Sequence, residues 1–260
     1  MASMLDRGPP GEGHFNSYIP TRLLPFRYPL INLAKALRQT SPVKIVAFGS
    51  SSTAGRGEVV PYPYRLERRL RDAYDQNWDP KNYPIVNVLN RGKGGEDAET
   101  EFNRLERDVI DESPVLVIWQ VGTNEAWKNN KPLSIIRQAI EKGLVRLKQL
   151  PIDVIVMDPQ YVPALITPEA FLKRTEAMQQ TIAELADAAK VNLFARYEMM
   201  RAWRLDEGVS LDNIVDTTDS DRLHQNDPST QRVAFELCEA IKASVARAWT
   251  EMDTAAATDT

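Results

Sequence analysis

Lys44-Ile45-Val46-Ala47-Phe48 runs directly into Gly49-Ser50-Ser51-Ser52-Thr53-Ala54-Gly55. The first stretch reads as a buried strand. The second, made of glycine and hydroxyl residues, reads as a tight turn out of that strand. Further apolar runs with strand character occur at 85–89, 115–121, 154–157 and 191–194. Between them lie stretches with helical spacing. Leu66, Leu70 and Tyr74 mark one, and Phe102, Leu105, Val109 and Ile110 a second. Ile136, Ile140, Leu144 and Leu147 mark a third, Met178, Ile182 and Leu185 a fourth, and 233–245 a fifth. Prolines 61, 114, 132, 151 and 168 fall at the joints. Strands alternating with helices predict parallel βαβ units and one α/β domain with helices on both faces of its sheet.

Position alone then predicts where chemistry lies. Ligands of open α/β sheets bind beyond the carboxyl ends of the strands. Residues 49–55, 90–97, 122–125 and the segment after 157 each follow a strand.

Composition narrows the class. The net charge is −4 and the isoelectric point about 5.4, which argues against a broad nucleic-acid footprint. No apolar run approaches the ~20 residues that span a bilayer. The start of the chain shows no apolar leader, although Met1-Ala2-Ser3-Met4 resembles a vector-derived lead, so cytoplasmic, periplasmic and secreted locations all stay open. The single cysteine, Cys238, lies in an apolar helical stretch and reads as core. Residues 1–42, with Pro9, Pro20, Pro25 and Pro29, read as an irregular N-terminal arm. The Ala- and Thr-rich segment 251–260 reads as a frayed, disordered tail.

Four motifs could carry chemistry. Ser51 follows the first strand and could be a nucleophile, a helix cap or part of a phosphate cradle; no Gly-Lys-Ser/Thr completes a P-loop. Asn90-Arg91-Gly92-Lys93-Gly94-Gly95 is either a plain tight turn or a backbone donor site at Gly95. Gly122-Thr123-Asn124-Glu125 offers an amide at the exit of a central strand, or a simple cap. Asp221-Arg222-Leu223-His224 holds one of only two histidines in the chain. A spacing of three lets one helical turn bring the carboxylate of Asp221 to the imidazole of His224. Imidazole takes and returns a proton near neutral pH. The plain alternative is a surface histidine with an incidental neighbour.

Taken together and in this order, the four blocks resemble the SGNH (GDSL) hydrolase family, from about residue 44 to 249. The resemblance implies a three-layer, flavodoxin-like sandwich with a central parallel sheet of about five strands, over a domain at 43–250. It implies Ser51 as nucleophile, His224 as base and Asp221 as the carboxylate that orients it. It implies an oxyanion hole from the backbone N–H groups of Ser51 and Gly95 and the side-chain amide of Asn124. Ser50 stands where the family has aspartate, and Glu125 replaces the aspartate after the oxyanion asparagine.

The implied activity is carboxylic-ester hydrolysis through an acyl-enzyme, with neither metal nor cofactor. Short acyl groups, such as O-acetyl groups on carbohydrate, are favoured because no long apolar lid is evident. The expected partner is therefore a small ester or an acylated carbohydrate. Ser50, Gln120, Glu125, Trp127, Gln160 and Tyr161 fall at or beyond strand ends and are expected to touch substrate. Thioesterase or lysophospholipase activity is the alternative within the family. A non-catalytic module that binds an anion or a sugar is the alternative outside it.

Overall fold

Five strands form one parallel sheet in the order β2-β1-β3-β4-β5. The computed structural model describes residues 25–74, 85–128 and 130–258. The strands are β1 Val43–Gly49, β2 Val86–Gly92, β3 Leu116–Gln120, β4 Asp153–Met157 and β5 Asn192–Phe194. Ile45 of β1 sits in register with Val88 on one side and Leu116 on the other. Every residue of β3 is buried, as a strand covered on both faces requires.

Along each central strand, alternate side chains divide between two cores. Ile45, Ala47, Leu116, Ile118 and Ile155 face one core, built with α1 Ile31–Leu37, α3 Tyr62–Tyr74 and α10 Asp227–Thr258. Val46, Phe48, Val117, Trp119 and Val156 face the other, built with α4 Ala98–Asn103, α6 Leu133–Lys148 and α8 Glu169–Ala189. The strand order explains this division. From β1 the chain steps one way to β2, then crosses back over β1 to β3 and continues to β4 and β5. Right-handed crossovers taken in opposite directions place their helices on opposite faces. The reversal between β1 and β3 leaves a crevice at the carboxyl ends of those two strands.

Close packing fixes one glycine. A Cβ on Gly143 of α6 would lie 2.4 Å from the indole of Trp119, so α6 can approach the sheet only without a side chain there.

Three expectations are corrected. The arm proposed for 1–42 lies outside the described residues up to 24, but its later part includes α1. This helix packs under α10 through Trp249 Nε1–H donating to the Ala34 carbonyl at 2.8 Å and through an Arg38–Asp253 ion pair. The tail is helical as far as Thr258, because it lacks any glycine or proline to stop α10 and is rich in alanine. The single helix expected over 102–110 is broken at Arg104 into α4 and a π-helical turn, Glu106–Ile110. Among the described residues, no helix is long and apolar enough to cross a membrane.

Candidate active site

Ser51 is the first residue of α2 Ser51–Ala54, directly after β1. Gly49 makes this turn possible: its φ is +149°, and a Cβ there would lie 2.5 Å from the Gln120 carbonyl oxygen of β3. Ser50, the residue before α2, does not cap it. Its hydroxyl instead donates to Gln120 Oε1 at 3.0 Å, and its N–H to the same oxygen at 3.2 Å. The N–H of Ser51, at the start of α2, has no carbonyl one helical turn earlier to donate to.

The glycine block and the asparagine block meet beside this serine. A Cβ on Gly94 would come 3.9 Å from Ser51 Cβ, and Gly95 has φ +79°. Asn124 lies in α5 Thr123–Lys128 and donates through Nδ2 to the Glu96 carbonyl at 2.7 Å. A primary amide carries two N–H groups, and this bond uses one. Lys128 Nζ donates to the Gly95 carbonyl at 2.6 Å, a second tie between α5 and the glycine turn.

His224 reaches Ser51 from 173 residues away, with Nε2 at 2.9 Å from Ser51 Oγ. It sits at the base of a loop closed by a bridge between Val215 and Gln225. The carboxylate that meets its other nitrogen is Asp219, not Asp221. Asp219 Oδ2 lies 2.6 Å from Nδ1 and also accepts the His224 backbone N–H at 3.3 Å. The expectation at Asp221 assumed a helical turn, and none forms between 221 and 224. Instead the Asp219 N–H donates to Asp216 and the Arg222 N–H donates to Asp219. With Arg222 at φ +52°, this path turns Asp219 inward and Asp221 outward. The side chain of Asp219 is 2% exposed, and that of Asp221 is 39% exposed.

A carboxylate can only accept, so Nδ1 carries the proton and Nε2 is free to accept from Ser51. Arg56 Nη1 stands 3.1 Å from Asp219 Oδ1 and 3.0 Å from His224 Nδ1. Two donors cannot bond each other, so the guanidinium acts as counter-ion to Asp219. Burial pushes the Asp219 carboxyl up, but the bonds from His224 and the charge of Arg56 outweigh it and hold the group below the usual carboxylate value.

Four of the six side chains expected at the substrate are enclosed. Ser50, Gln120, Glu125 and Gln160 are buried. Ser50 and Gln120 bond each other, and Glu125 and Gln160 are satisfied by other buried groups rather than by solvent. Gln120 Oε1 also accepts from Thr53 Oγ1 at 3.3 Å. Glu125 accepts the Ala98 N–H at 2.6 Å, and burial pushes its carboxyl up to about 6. Glu101 lies near it, bonded by Trp119 Nε1–H at 2.8 Å, and burial with the neighbouring charge of Glu125 holds it well above the usual range. Trp127 and Tyr161 are half-buried, and Tyr161 packs edge-on against Tyr197 with centroids 5.0 Å apart.

Two arginines and one aspartate escaped the sequence reading. Arg104 lies over the Phe48 ring at 4.2 Å and donates to the Gly49 carbonyl at 3.1 Å and the Arg91 carbonyl at 2.8 Å. It thereby ties the end of β1 to the glycine block. Arg196, fully buried, donates to the Asp158 carbonyl at 3.0 Å and to Gln160 Oε1 at 2.8 Å. Burial lowers its guanidinium to about 10 and raises the neighbouring Asp158 carboxyl to about 7. No local pattern announces either arginine. Asp219 was visible as a carboxylate near His224, but its separation of five matches no helical turn. Among the described residues, no group of His, Cys, Asp and Glu is arranged to hold a metal ion.

Residues 16–247 match the non-GDSL lipase-like family. The chain belongs to that family. Its description agrees with Ser50 standing where the Gly-Asp-Ser block has aspartate. Membership makes the chain an ester-bond hydrolase of the SGNH type. No curated protein matches it significantly.

Solved structures share the fold. A lipase/acylhydrolase from Enterococcus faecalis superposes with a TM-score of 0.63 at 23% identity, covering 77% of this chain and 95% of that one. A catalytic mutant of an acetylxylan esterase from Geobacillus stearothermophilus gives a TM-score of 0.64 at 16% identity, covering 79% and 96%. An α/β hydrolase from the metagenome of Lake Arreo, Spain, gives 0.64 at 17% identity, covering 80% and 99%.

Proposed function

We propose that the chain is a serine esterase that removes short acyl groups through an acyl-enzyme on Ser51. The observation that carries this reading is the unbroken line Ser51 Oγ, His224 Nε2, His224 Nδ1, Asp219 Oδ2, with contacts of 2.9 and 2.6 Å. His224 takes the hydroxyl proton as Oγ attacks the ester carbonyl. Asp219 holds the tautomer and stabilises the imidazolium. The N–H groups of Ser51 and Gly95 and the second N–H of Asn124 are the donors for the oxyanion. His224 then protonates the leaving alkoxide. Water repeats the sequence, giving the free acid and the original serine.

The cleft bordered by Ser51, Arg56, Val59, Pro61 and His224 encloses only about 20 Å³, about the space of one water, and so offers no enclosed room for a long acyl chain. A larger concavity of about 420 Å³, between Tyr28, Ala186, Phe194 and Met199, shares no residue with that cleft and has no serine, cysteine or histidine in its walls. The acetylxylan esterase of the same fold makes O-acetyl groups on carbohydrate the first substrates to try. Trp127, three residues past Asn124, is half-buried and packs against the core, and its exposed part is the aromatic surface to test for sugar stacking.

The test is a series of p-nitrophenyl esters from acetate to dodecanoate, with acetylated xylo-oligosaccharides, an acyl thioester and a lysophospholipid. It is run on the wild type and on Ser51→Ala, with covalent labelling by a fluorophosphonate. Turnover falling with chain length and lost in Ser51→Ala is the expected result. Full turnover by a folded Ser51→Ala variant removes the nucleophile assignment. Activity rising with chain length, or confined to the thioester or lysophospholipid, replaces the short-acyl reading.

A further inference from the structure

We propose that Gln160 is the positioning residue that holds the nucleophile, the oxyanion asparagine and the base in register. The inference rests on the serine-esterase reading and extends it to a side chain that touches no substrate. Gln160 is fully buried just beyond the end of β4. Its Oε1 accepts from Ser52 Oγ at 3.3 Å, from Thr123 Oγ1 at 2.9 Å and from Arg196 Nη2 at 2.8 Å. Its Nε2 donates to the Leu223 carbonyl at 3.0 Å.

Ser52 follows Ser51, Thr123 precedes Asn124, and Leu223 precedes His224. One amide therefore grips the immediate neighbours of the nucleophile, the oxyanion asparagine and the base. These neighbours lie 108, 37 and 63 residues from Gln160 along the chain, so no local turn could set their spacing.

Arg196 gives the hub its polarity. A guanidinium only donates, so the amide must turn its oxygen toward Arg196 and its nitrogen toward Leu223. Arg196 is itself anchored through Nε to the Asp158 carbonyl at the end of β4. The sheet thus fixes the arginine, the arginine fixes the amide, and the amide fixes the segment that carries His224. Errors of about 1 Å in such an arrangement cost roughly 10²-fold in rate, which is the scale at which a buried amide would act on catalysis without meeting the ester.

The test compares Gln160→Met and Gln160→Glu with the wild type. Methionine keeps the length and removes every polar bond. Glutamate keeps an acceptor for Ser52, Thr123 and Arg196 but sets an oxygen against the Leu223 carbonyl. Activity is measured on p-nitrophenyl acetate well below each variant's melting midpoint, alongside the rate of Ser51 labelling by a fluorophosphonate.

Expected are a fall in kcat of about 10²-fold for Gln160→Met and about 10-fold for Gln160→Glu, KM within about 3-fold of wild type, and a parallel fall in labelling rate. A folded Gln160→Met with kcat within 3-fold of wild type (~0.7 kcal/mol) overturns the proposal. So does a rise in KM at unchanged kcat, the mark of a substrate contact. If Gln160→Met does not melt cooperatively, Gln160→Glu decides by the same criteria. A wild type that neither turns over esters nor takes the label refutes the esterase reading itself. A wild type that does both, beside equally active variants, refutes only the role of Gln160.

Discussion

Asp219→Asn and Asp221→Asn form the pair that separates the geometry from the motif. In the wild type, Asp219 Oδ2 accepts from His224 Nδ1 at 2.6 Å and leaves Nε2 as the acceptor, 2.9 Å from Ser51 Oγ. An asparagine at 219 can turn its NH2 toward Nδ1 and stabilise the opposite tautomer, with the proton on Nε2. That nitrogen could no longer receive the serine proton. Loss of a carboxylate in this position costs about 10⁴-fold in kcat, or ~5.5 kcal/mol at 1.36 kcal/mol per tenfold. Asp221 is 39% exposed, and the cation nearest it, Arg56, stands 3.9 Å away, a geometry worth at most ~1 kcal/mol. Asp221→Asn should therefore keep kcat/KM within about 5-fold of wild type. Both variants are assayed for kcat/KM on p-nitrophenyl acetate between pH 6 and 9, with circular dichroism to confirm folding. A loss of 100-fold or more (~2.7 kcal/mol) in Asp221→Asn, beside an active Asp219→Asn, would show that Asp221 orients the base and that the inward turn at Asp219 is not the working arrangement.

Asn124→Ala should lower kcat by about 10²–10³-fold with little change in KM, and an unchanged kcat removes Asn124 from the oxyanion hole. Gly143→Ala puts a Cβ 2.4 Å from Trp119 and should cost ~1–3 kcal/mol in a denaturant titration; an unchanged midpoint would show that α6 can back away from the sheet. Stability should fall as pH rises from about 4.5 through 6, because Glu125 has a folded-state value of about 6 against an ordinary 4.5. Its unfolded form ionises first, so the neutral form's advantage is complete below 4.5 and lost above 6, a difference of ~2 kcal/mol. Thermal midpoints at pH 4.5 and 7.5 measure this, and Glu125→Gln should remove part of the fall; an identical fall in that variant assigns it to other groups.

The chain's apolar runs and helical periodicities determined the α/β class, all five strands, and the strand ends at which the candidate site lies, because apolar runs and glycine-rich exits are local properties of sequence. They also brought Ser51, Gly95, Asn124 and His224 to notice, each lying just past a strand or beside a helix start. Tertiary structure decided the rest. The carboxylate partner of His224 depends on the path of a loop that turns through Arg222 with positive φ, and residue spacing measures turns of regular helix only. The fates of Gln120, Gln160 and Glu125 were hidden for a related reason. A polar side chain at a strand end can face solvent or close a buried network, and which it does depends on donors such as Ser52, Thr123, Ala98 and Arg196 that arrive from distant parts of the chain. Sequence distributes the groups along the strand ends; only packing decides which of them meet substrate and which hold one another.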